Sequence, residues 1–249
     1  MSMALGLDIG GSGIKGALVD TASGELASER KRVPTPESME PDEVLAAAVE
    51  LVGQFEGSAP LGIGFPAVVQ QGTPKTPFAA HQIESWVGVP VARRMEEGTK
   101  RSTLVLNDAD AAGIAEMRFG SGRGQHGLVM ILTLGTGIGS ALFIDGTLVP
   151  NTELGHLYLR NQRKVAEQRA ASRVRKRDNL KWPAYAERLN EYLVHLERIF
   201  SPRLFILGGG VSRKAEKFVP LLKVRAEVVP AALRNNAGII GAAIAAAEQ

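Results

Sequence analysis

A strand, a glycine-rich turn and a second strand follow one another twice in this chain, and this pattern constrains the fold most. The first unit covers residues 4–19 with the turn DIGGSGIKG at 8–16, and the second covers 128–144 with GTGIGS at 135–140. Glycine permits φ > 0 and close approach of the backbone to a ligand, and successive N–H groups in such turns bind anions. We expect two similar α/β halves that each begin with a phosphate-binding turn. Two plain glycine hairpins are the alternative.

Side chains in both turns add to the expected phosphate site. Ser12 supplies a hydroxyl donor and Lys15 a cation, while the Asp8 carboxylate is placed to hold Mg²⁺ through water. Thr133 and Thr136 add hydroxyl groups to the second turn. Phosphoryl transfer needs donors around the phosphates, a metal ion and a base for the attacking hydroxyl.

Composition excludes several classes of protein. The 249 residues are 45% hydrophobic, enough for one large domain or two small ones, and include no cysteine. Disulfides, thiolate zinc sites and cysteine nucleophiles are therefore excluded. No apolar run approaches the roughly 20 residues that span a bilayer, and no secretory signal is recognisable at the N-terminus. We expect a cytoplasmic enzyme without a membrane partner.

Positive charge is concentrated in one stretch. The chain has a net charge of +3, whereas residues 160–177 contain eight basic residues and one acidic residue, a local net charge of +7. Such a patch predicts an anionic partner. A solvated helical face is the alternative, because Arg169, Arg173 and Arg177 follow helical spacing. The stretch lacks the interleaved aromatics that stack on bases, so we expect no nucleic-acid partner.

Hydrophobic periodicity predicts further elements along the chain. We expect strands at 25–33, 61–65, 104–106, 204–207 and 226–229, and helices at 41–55, 108–119, 183–200 and from 237 onward.

Two polar pairs are candidates for chemistry on a hydroxylated substrate. Asn107 and Asp108 follow a strand directly, where Asp108 could take a proton from a hydroxyl while Asn107 holds a neighbouring one. Helix capping is the alternative, because Asn and Asp are both good N-caps. Glu153 and His156 offer an acceptor and a donor for sugar hydroxyls, unless they belong to an ordinary exposed loop.

The ordered series of motifs resembles the ROK family of sugar kinases, repressors and open reading frames. The series consists of DIGGSGIKG (8–16), GFP (64–66), ND (107–108), LGTGIGS (134–140), ELGH (153–156), GGGVS (208–212) and NAGIIGAA (236–243). The resemblance implies an α/β, actin-like ATPase (ribonuclease H-like) fold of two domains with a central cleft. The small domain would comprise residues 1–107 and about 236–249, and the large domain residues 108–235.

The resemblance also assigns roles to matching positions. Asp108 would be the catalytic base. The sugar would be bound by Gly64, Asn107, Asp108, Glu153, His156 and Glu167. The phosphates and the nucleotide would be bound by Asp8, Gly10, Gly11, Ser12, Gly13, Lys15, Thr133, Gly135, Thr136, Gly137, Gly208, Gly209 and Gly210.

One departure from the family pattern selects a branch. Most sugar kinases of the family carry a cysteine-rich zinc motif after the Gly-His dipeptide, and this chain has no cysteine. It resembles the zinc-free branch, the polyphosphate glucokinases and polyphosphate/ATP glucomannokinases, in which Glu167 would replace the Glu that closes the zinc motif. That branch implies Mg²⁺-dependent transfer of phosphate from inorganic polyphosphate, and from ATP, to the 6-hydroxyl of glucose. The polyphosphate path would include Arg169, Arg173, Arg175, Lys176 and Arg177.

Two other functions remain open from the sequence. The first is an ATP-only hexokinase of the same family. The second is a sugar-sensing regulator without catalysis, although only three residues precede the first expected strand, where such regulators carry a helix-turn-helix. The sequence also leaves open mannose against glucose, and a homodimer against a monomer.

Overall fold

The computed structural model describes residues 3–78 and 83–249 and divides the chain into two compact units. Unit 1 comprises Met1–Ala115 and Asn236–Gln249, and unit 2 comprises Glu116–Asn235. The sequence put the first boundary at 107–108, before a helix, whereas this division falls inside that helix.

Thirteen strands and seven α-helices are present in the described residues. The strands are β1 (Met3–Gly10), β2 (Gly13–Asp20), β3 (Glu25–Leu26), β4 (Lys31–Val33), β5 (Leu61–Phe65), β6 (Val69–Gln70), β7 (Thr73–Pro74), β8 (Thr103–Asn107), β9 (Leu128–Leu134), β10 (Ile138–Ile144), β11 (Thr147–Val149), β12 (Leu204–Gly208) and β13 (Glu227–Pro230). The helices are α1 (Pro41–Gly53), α2 (Val91–Thr99), α3 (Asp108–Phe119), α4 (Glu167–Ala170), α5 (Ser172–Arg177), α6 (Trp182–Phe200) and α7 (Ala237–Ala247). Short 3₁₀ helices cover Glu84–Trp86, Leu154–His156, Gly210–Lys217, Val219–Leu221 and Arg234–Asn236.

The main sheets of the two units have the same plan. In unit 1 the order is β3-β2-β1-β5-β8, with β4 also paired to β2, and in unit 2 it is β11-β10-β9-β12-β13. In each sheet the first three strands are antiparallel, and the parallel strands follow. The two strand–turn–strand motifs therefore occupy equivalent places, β1–β2 and β9–β10. The repetition seen in the sequence is a repetition of topology.

The strand expected at 25–33 is wrong as a single element. It forms β3 and β4, which pair with different parts of β2. Between them the Ser28 hydroxyl, rather than a backbone carbonyl, accepts the N–H of Leu18 at 2.9 Å. This side-chain contact interrupts the ladder.

Within unit 1, helix α7 packs on β1 and β5 through backbone rather than through long side chains. A Cβ added to Gly62 of β5 would lie 1.8 Å from the carbonyl oxygen of Ala242, and one added to Gly6 of β1 would lie 2.0 Å from that of Ile239. On the helix itself, a Cβ at Gly241 would lie 1.6 Å from the carbonyl oxygen of Ala111. Glycine is therefore required on the two strands, where α7 approaches them, and on α7, where α3 approaches it.

In unit 2, α6 covers one face of the sheet. Its buried residues Tyr185, Leu189 and Leu193 lie in one apolar cluster with Leu132 of β9 and Phe205 of β12. None of the helices in the described part of the chain is long and apolar enough to cross a bilayer.

A buried carboxylate fixes the segment that follows β13. Glu116, only 1% exposed, accepts N–H groups from Ser121 at 2.9 Å, Ala232 at 3.1 Å and Leu233 at 2.7 Å.

We expect Glu116→Ala to lower the free energy of unfolding by roughly 2–3 kcal/mol, because three amide donors lose their acceptor. Urea denaturation compared with Glu187→Ala, an exposed glutamate on α6, measures this. Equal stability of the two variants would contradict it.

Candidate active site

The carboxyl ends of three parallel strands bring the unit 1 candidates together. In the register of the sheet, Asp8 of β1 lies opposite Gly64 of β5, and Gly64 lies opposite Leu106 of β8. A Cβ added to Gly64 would lie 3.6 Å from the Cα of Asp108. Carboxyl ends of such strands are usual positions for ligand-binding residues. Asp8, Gly64 and Asp108 are thus neighbours, although they are far apart in the sequence.

The first glycine turn is a tight hairpin. Gly10 pairs with Gly13, so that Gly11 and Ser12 form its tip. Arg32 of β4 crosses the turn and donates from Nη2 to the carbonyl oxygen of Ser12 at 2.6 Å. A Cβ on Gly13 would lie 2.6 Å from the Arg32 Nε, so glycine makes room for this side chain. No pattern in the sequence had pointed to Arg32.

Glycine permits positive φ, but the glycines of the two turns do not adopt it. The described glycines with positive φ include none from either turn. Close approach explains glycine at two positions: a Cβ on Gly13 would meet Arg32, and one on Gly137 would meet the Glu167 carboxylate.

The Asp8 carboxylate is partly paired. Its Oδ2 lies 3.1 Å from the Lys15 Nζ, and both side chains are partly exposed. Residues 3–78 and 83–249 contain no cluster of three or more acidic or histidine side chains arranged to hold a metal. Mg²⁺ is usually held by one or two carboxylates, water and substrate phosphates. A single accessible carboxylate fits that mode of binding.

Asn107 caps a helix, and Asp108 is the more accessible residue of this pair. The Asn107 Oδ1 accepts the N–H groups of Ala109 at 2.9 Å and Asp110 at 3.1 Å, and its Nδ2 donates to the carbonyl oxygen of Ala67. Asn107 thus caps α3 and is buried. Asp108 is the first residue of α3 and is partly exposed. The capping alternative therefore describes Asn107, and the carboxylate accessible to a substrate belongs to Asp108.

In unit 2 the second glycine turn and the triple-glycine motif lie side by side. Gly208 of β12 pairs with Thr133 of β9, directly before the turn at Gly135. Gly209 has φ +79°, and a Cβ there would lie 2.3 Å from the carbonyl oxygen of Leu134. Conformation and space both require glycine at this position. The two motifs lie together at the carboxyl ends of β9 and β12.

His156 lies between two carboxylates. Its Nδ1 is 3.8 Å from the Glu153 Oε2, and its Nε2 is 3.9 Å from the Glu167 Oε1. The other Glu167 oxygen, Oε2, accepts the N–H of Ile138 at 3.3 Å, at the end of the second turn. Glu167 thus contacts the glycine turn and approaches His156.

Burial raises the pKa of Glu153. Loss of solvent raises the pKa of this carboxyl, the nearby His156 lowers it, and Glu167 raises it further, with a net upward shift. Burial disfavours a carboxylate unless cations or donors compensate it.

Ser140 holds the loop that carries Glu153, and the sequence analysis gave it no role. The buried Ser140 Oγ donates to the carbonyl oxygen of Thr152 at 2.6 Å and accepts the N–H of Leu154 at 3.0 Å. The Thr152 Oγ1 donates back to the carbonyl oxygen of Ser140. The only sequence signal for this role was a hydroxyl residue at the end of the second turn.

The basic stretch does not form one helical face. Helix α4 ends before Ala171, whose ψ of 152° is extended, and α5 begins after it, so the alternative of a continuous solvated helix is wrong. The amide of Arg173 donates to the carbonyl oxygen of Gly135 at 3.0 Å. This tertiary contact places the start of α5 beside the second turn.

Three of the five cations assigned to the polyphosphate path have partners within the protein. Arg169 pairs with Glu191 at 2.6 Å, and Arg177 pairs with Asp178 at 2.7 Å. Arg175 donates to the carbonyl oxygen of Leu180 and lies 4.0 Å from the centre of the Trp182 ring. Arg173 and Lys176 are exposed. Of the five residues predicted to form a polyphosphate path, Arg173 and Lys176 therefore remain as candidates.

Comparisons of the chain with known proteins identify its family. The model of the ROK family matches residues 4–180. The chain is 48% identical over 242 residues to the polyphosphate glucokinase of Mycobacterium tuberculosis (strain CDC 1551 / Oshkosh), across 96% of this chain and 89% of that protein. It is 46% identical over 243 residues to the polyphosphate glucokinase of Mycobacterium leprae (strain TN), across 96% and 73%.

Solved structures show the same fold. The inorganic polyphosphate/ATP-glucomannokinase from Arthrobacter sp. strain KM superposes with a TM-score of 0.93 at 44% identity, over all of both chains. A ROK family glucokinase from Streptomyces griseus, in complex with glucose and AMPPNP, gives 0.82 at 25% identity, over 99% of this chain and 100% of that one. These similarities confirm the expected actin-like α/β fold. Since the family model covers well over half of the sequence and the relatives cover nearly all of it, the chain belongs to the ROK family.

Proposed function

We propose that this protein is a kinase that transfers the terminal phosphate of inorganic polyphosphate, and also that of ATP, to the 6-hydroxyl of glucose. The relatives named polyphosphate glucokinase and polyphosphate/ATP-glucomannokinase support both the donor and the acceptor. Mannose is a second candidate acceptor. We place the reaction in the cytoplasm.

The observation that carries the proposal is the position of Glu167. One of its oxygens accepts the N–H of Ile138 at the second glycine turn, and the other lies 3.9 Å from the Nε2 of His156. A carboxylate and an imidazole are suitable partners for sugar hydroxyls. The contact of Glu167 with a phosphate-type turn, and its approach to His156, support a site that binds both a sugar and a phosphate.

Asp108 is the proposed base. It takes the proton from the 6-hydroxyl as that oxygen forms a bond to the terminal phosphorus, and the bond from this phosphorus to the bridging oxygen of the donor breaks. The shortened polyphosphate, or ADP, leaves with the electron pair of that bond. Such a transfer depends mainly on positioning and electrostatic stabilisation. Asn107 contributes by fixing the start of α3.

The remaining candidates position the two substrates. Glu153 and His156 bind sugar hydroxyls that do not react, together with Gly64, Glu167 and the second Nδ2 hydrogen of Asn107, whose first is donated to Ala67. The backbones at 10–13, 135–137 and 208–210 bind phosphates and the nucleotide, with the Ser12, Thr133 and Thr136 hydroxyls and the Lys15 ammonium group as further donors. Asp8 would hold Mg²⁺ through water, and the ion would neutralise donor oxygens.

A two-by-two measurement tests the proposal. Initial rates are measured for glucose and mannose, each with long-chain polyphosphate and with ATP. We expect turnover of glucose with both donors. Turnover with ATP alone would identify an ATP-only hexokinase, and sugar binding without turnover would identify a regulator. Sedimentation of the same preparation distinguishes a monomer from a homodimer.

The two remaining candidates for a polyphosphate path, Arg173 and Lys176, give a prediction about the donor. We expect Arg173→Gln with Lys176→Gln to raise the KM for polyphosphate by about three- to tenfold and to change the KM for ATP less, because two exposed charge contacts are lost. ATP has three phosphates for the glycine turns to hold, whereas a longer chain extends past them. Higher salt should reduce the difference.

The matched control is Arg163→Gln with Lys164→Gln, which removes the same charge from exposed positions in the same stretch. An equal effect of the two double variants on KM for polyphosphate would contradict a path through Arg173 and Lys176.

A further inference from the structure

A basic cavity lies in unit 2, at the end of the strands opposite the glycine turns. Its volume is about 580 Å³, and its lining comes from the end of α6 and from the residues that lead into β12 and β13. Strands β9 and β12 run in parallel, so Arg203 precedes the amino end of β12 while Gly208 lies at its carboxyl end. At about 3.3 Å per residue, these two positions are roughly 16 Å apart. The cavity is therefore separate from the candidate active site.

The charge of the cavity is strongly positive. Four cationic side chains line it: Arg198, Arg203, Lys223 and Arg225. All four are exposed, and within residues 3–78 and 83–249 their side chains form no hydrogen bond or ion pair. The one acidic residue in the lining is Glu197, whose Oε1 accepts the N–H groups of Arg225 at 2.7 Å and Ala226 at 2.8 Å. That carboxylate is thus directed to the backbone and leaves the cations without a partner.

We propose that this cavity is a second anion-binding site, which holds a segment of inorganic polyphosphate remote from the end that reacts. The identity of the anion rests on the proposed function. Four separate positive charges around an open cavity exceed what a single phosphate would neutralise. A polyphosphate chain carries one negative charge on each phosphate group and can therefore neutralise several of them at once. Like-charged side chains in a concave surface also raise the local concentration of an oppositely charged ligand.

The site predicts a dependence on chain length. A chain that reaches the glycine turns and also this cavity must extend along the unit, so only long polyphosphate can occupy both. The second contact keeps the donor on the enzyme without touching the reacting phosphate. It therefore lowers the KM for long chains and leaves kcat unchanged, as expected for uniform binding of the ground state and the transition state.

The test compares two triple variants. Arg203→Gln, Lys223→Gln and Arg225→Gln neutralise the cavity, and Lys75→Gln, Arg123→Gln and Lys181→Gln remove the same charge from other exposed positions. Kinetics are measured with long-chain polyphosphate and with tripolyphosphate, and direct binding of both is measured by calorimetry at low and moderate salt. Thermal unfolding establishes that each variant is folded.

We expect the cavity variant to raise the KM for long-chain polyphosphate by about tenfold, with kcat and the KM for tripolyphosphate unchanged and the control close to wild type. An equal effect of both variants, or an equal loss for both donors, would overturn the proposal. Failure of the proposed function gives a different result, because the wild type would then not transfer phosphate from polyphosphate at all. In that case calorimetry still tests the site. Polyphosphate binding by the wild type that is weaker in the cavity variant, and unchanged in the control, supports the site. No binding by the wild type refutes it.

Discussion

Asp108→Asn is expected to lower kcat by about 10²- to 10⁴-fold, the usual contribution of a general base. The amide has nearly the size of the carboxylate but cannot take the proton of the 6-hydroxyl. Asp108 is partly exposed at the start of α3, and the cap of that helix is supplied by Asn107. The helix should therefore persist, and glucose affinity measured by calorimetry should stay within several-fold of wild type.

The control for this substitution is Asp42→Asn. Asp42 also lies in the first turn of a helix in unit 1, α1, and is exposed. This variant should retain full turnover. If Asp108→Asn lost glucose binding together with turnover, Asp108 would have a structural role and would not be the base.

Glu153→Ala is expected to raise the KM for glucose by about 10- to 100-fold, because a hydrogen bond to a charged group is worth about 1.5–3 kcal/mol. Part of kcat should fall too, since contacts with hydroxyls that do not react also orient the one that does. Steady-state kinetics with saturating donor measure both quantities. Glu227→Ala, an exposed glutamate in β13, is the control, and an unchanged KM in Glu153→Ala would remove this residue from the site.

The raised pKa of Glu153 adds a pH dependence with a definite sign. Only the carboxylate form accepts hydroxyl protons well, and a raised pKa means that this form is lost at a higher pH than for an ordinary glutamate. The KM for glucose should therefore begin to rise earlier as the pH falls. Glu153→Gln cannot titrate and should flatten this rise. An identical pH profile in wild type and Glu153→Gln would assign the dependence to another group.

Local patterns in the sequence predicted the parts of the structure that local interactions determine. The strand at 61–65 and the helix that begins at Ala237 have the expected limits, since apolar runs and periodicity define them. The strand–turn–strand units were also predicted. The similar plan of the two sheets follows from them, because each unit places its hairpin beside parallel strands.

Tertiary contacts determine what the sequence did not show. The break at Ala171 has no local signal, because alanine is a good helix former. What accompanies the break is the bond from the Arg173 amide to the carbonyl oxygen of Gly135. Helix α2 was missed because only Val91 and Met95 of its residues are buried, too few for a periodic pattern.

In the candidate site, too, the sequence predicted motifs but not tertiary contacts. The sequence named Asp108, Glu153, His156 and Glu167 by motif, and their roles stay predictions. It could not show that Arg169 and Arg175 have internal partners, because Glu191 and Trp182 are not their neighbours in a helical pattern. Nor did it indicate that Ser140 holds the Glu153 loop, since that role depends on pairing across β10.

The backbone contact of α7 with Gly6 and Gly62 has a consequence for the order in which the protein is assembled on the ribosome. Unit 2 is one continuous segment, whereas unit 1 needs Asn236–Gln249 to cover β1 and β5. Domains generally fold as units during synthesis. Unit 2, which is synthesised after most of unit 1, can thus fold first. The strands of unit 1 remain without their covering helix until α7 leaves the ribosome. Nascent unit 1 would be the part of the chain that chaperones have most reason to bind.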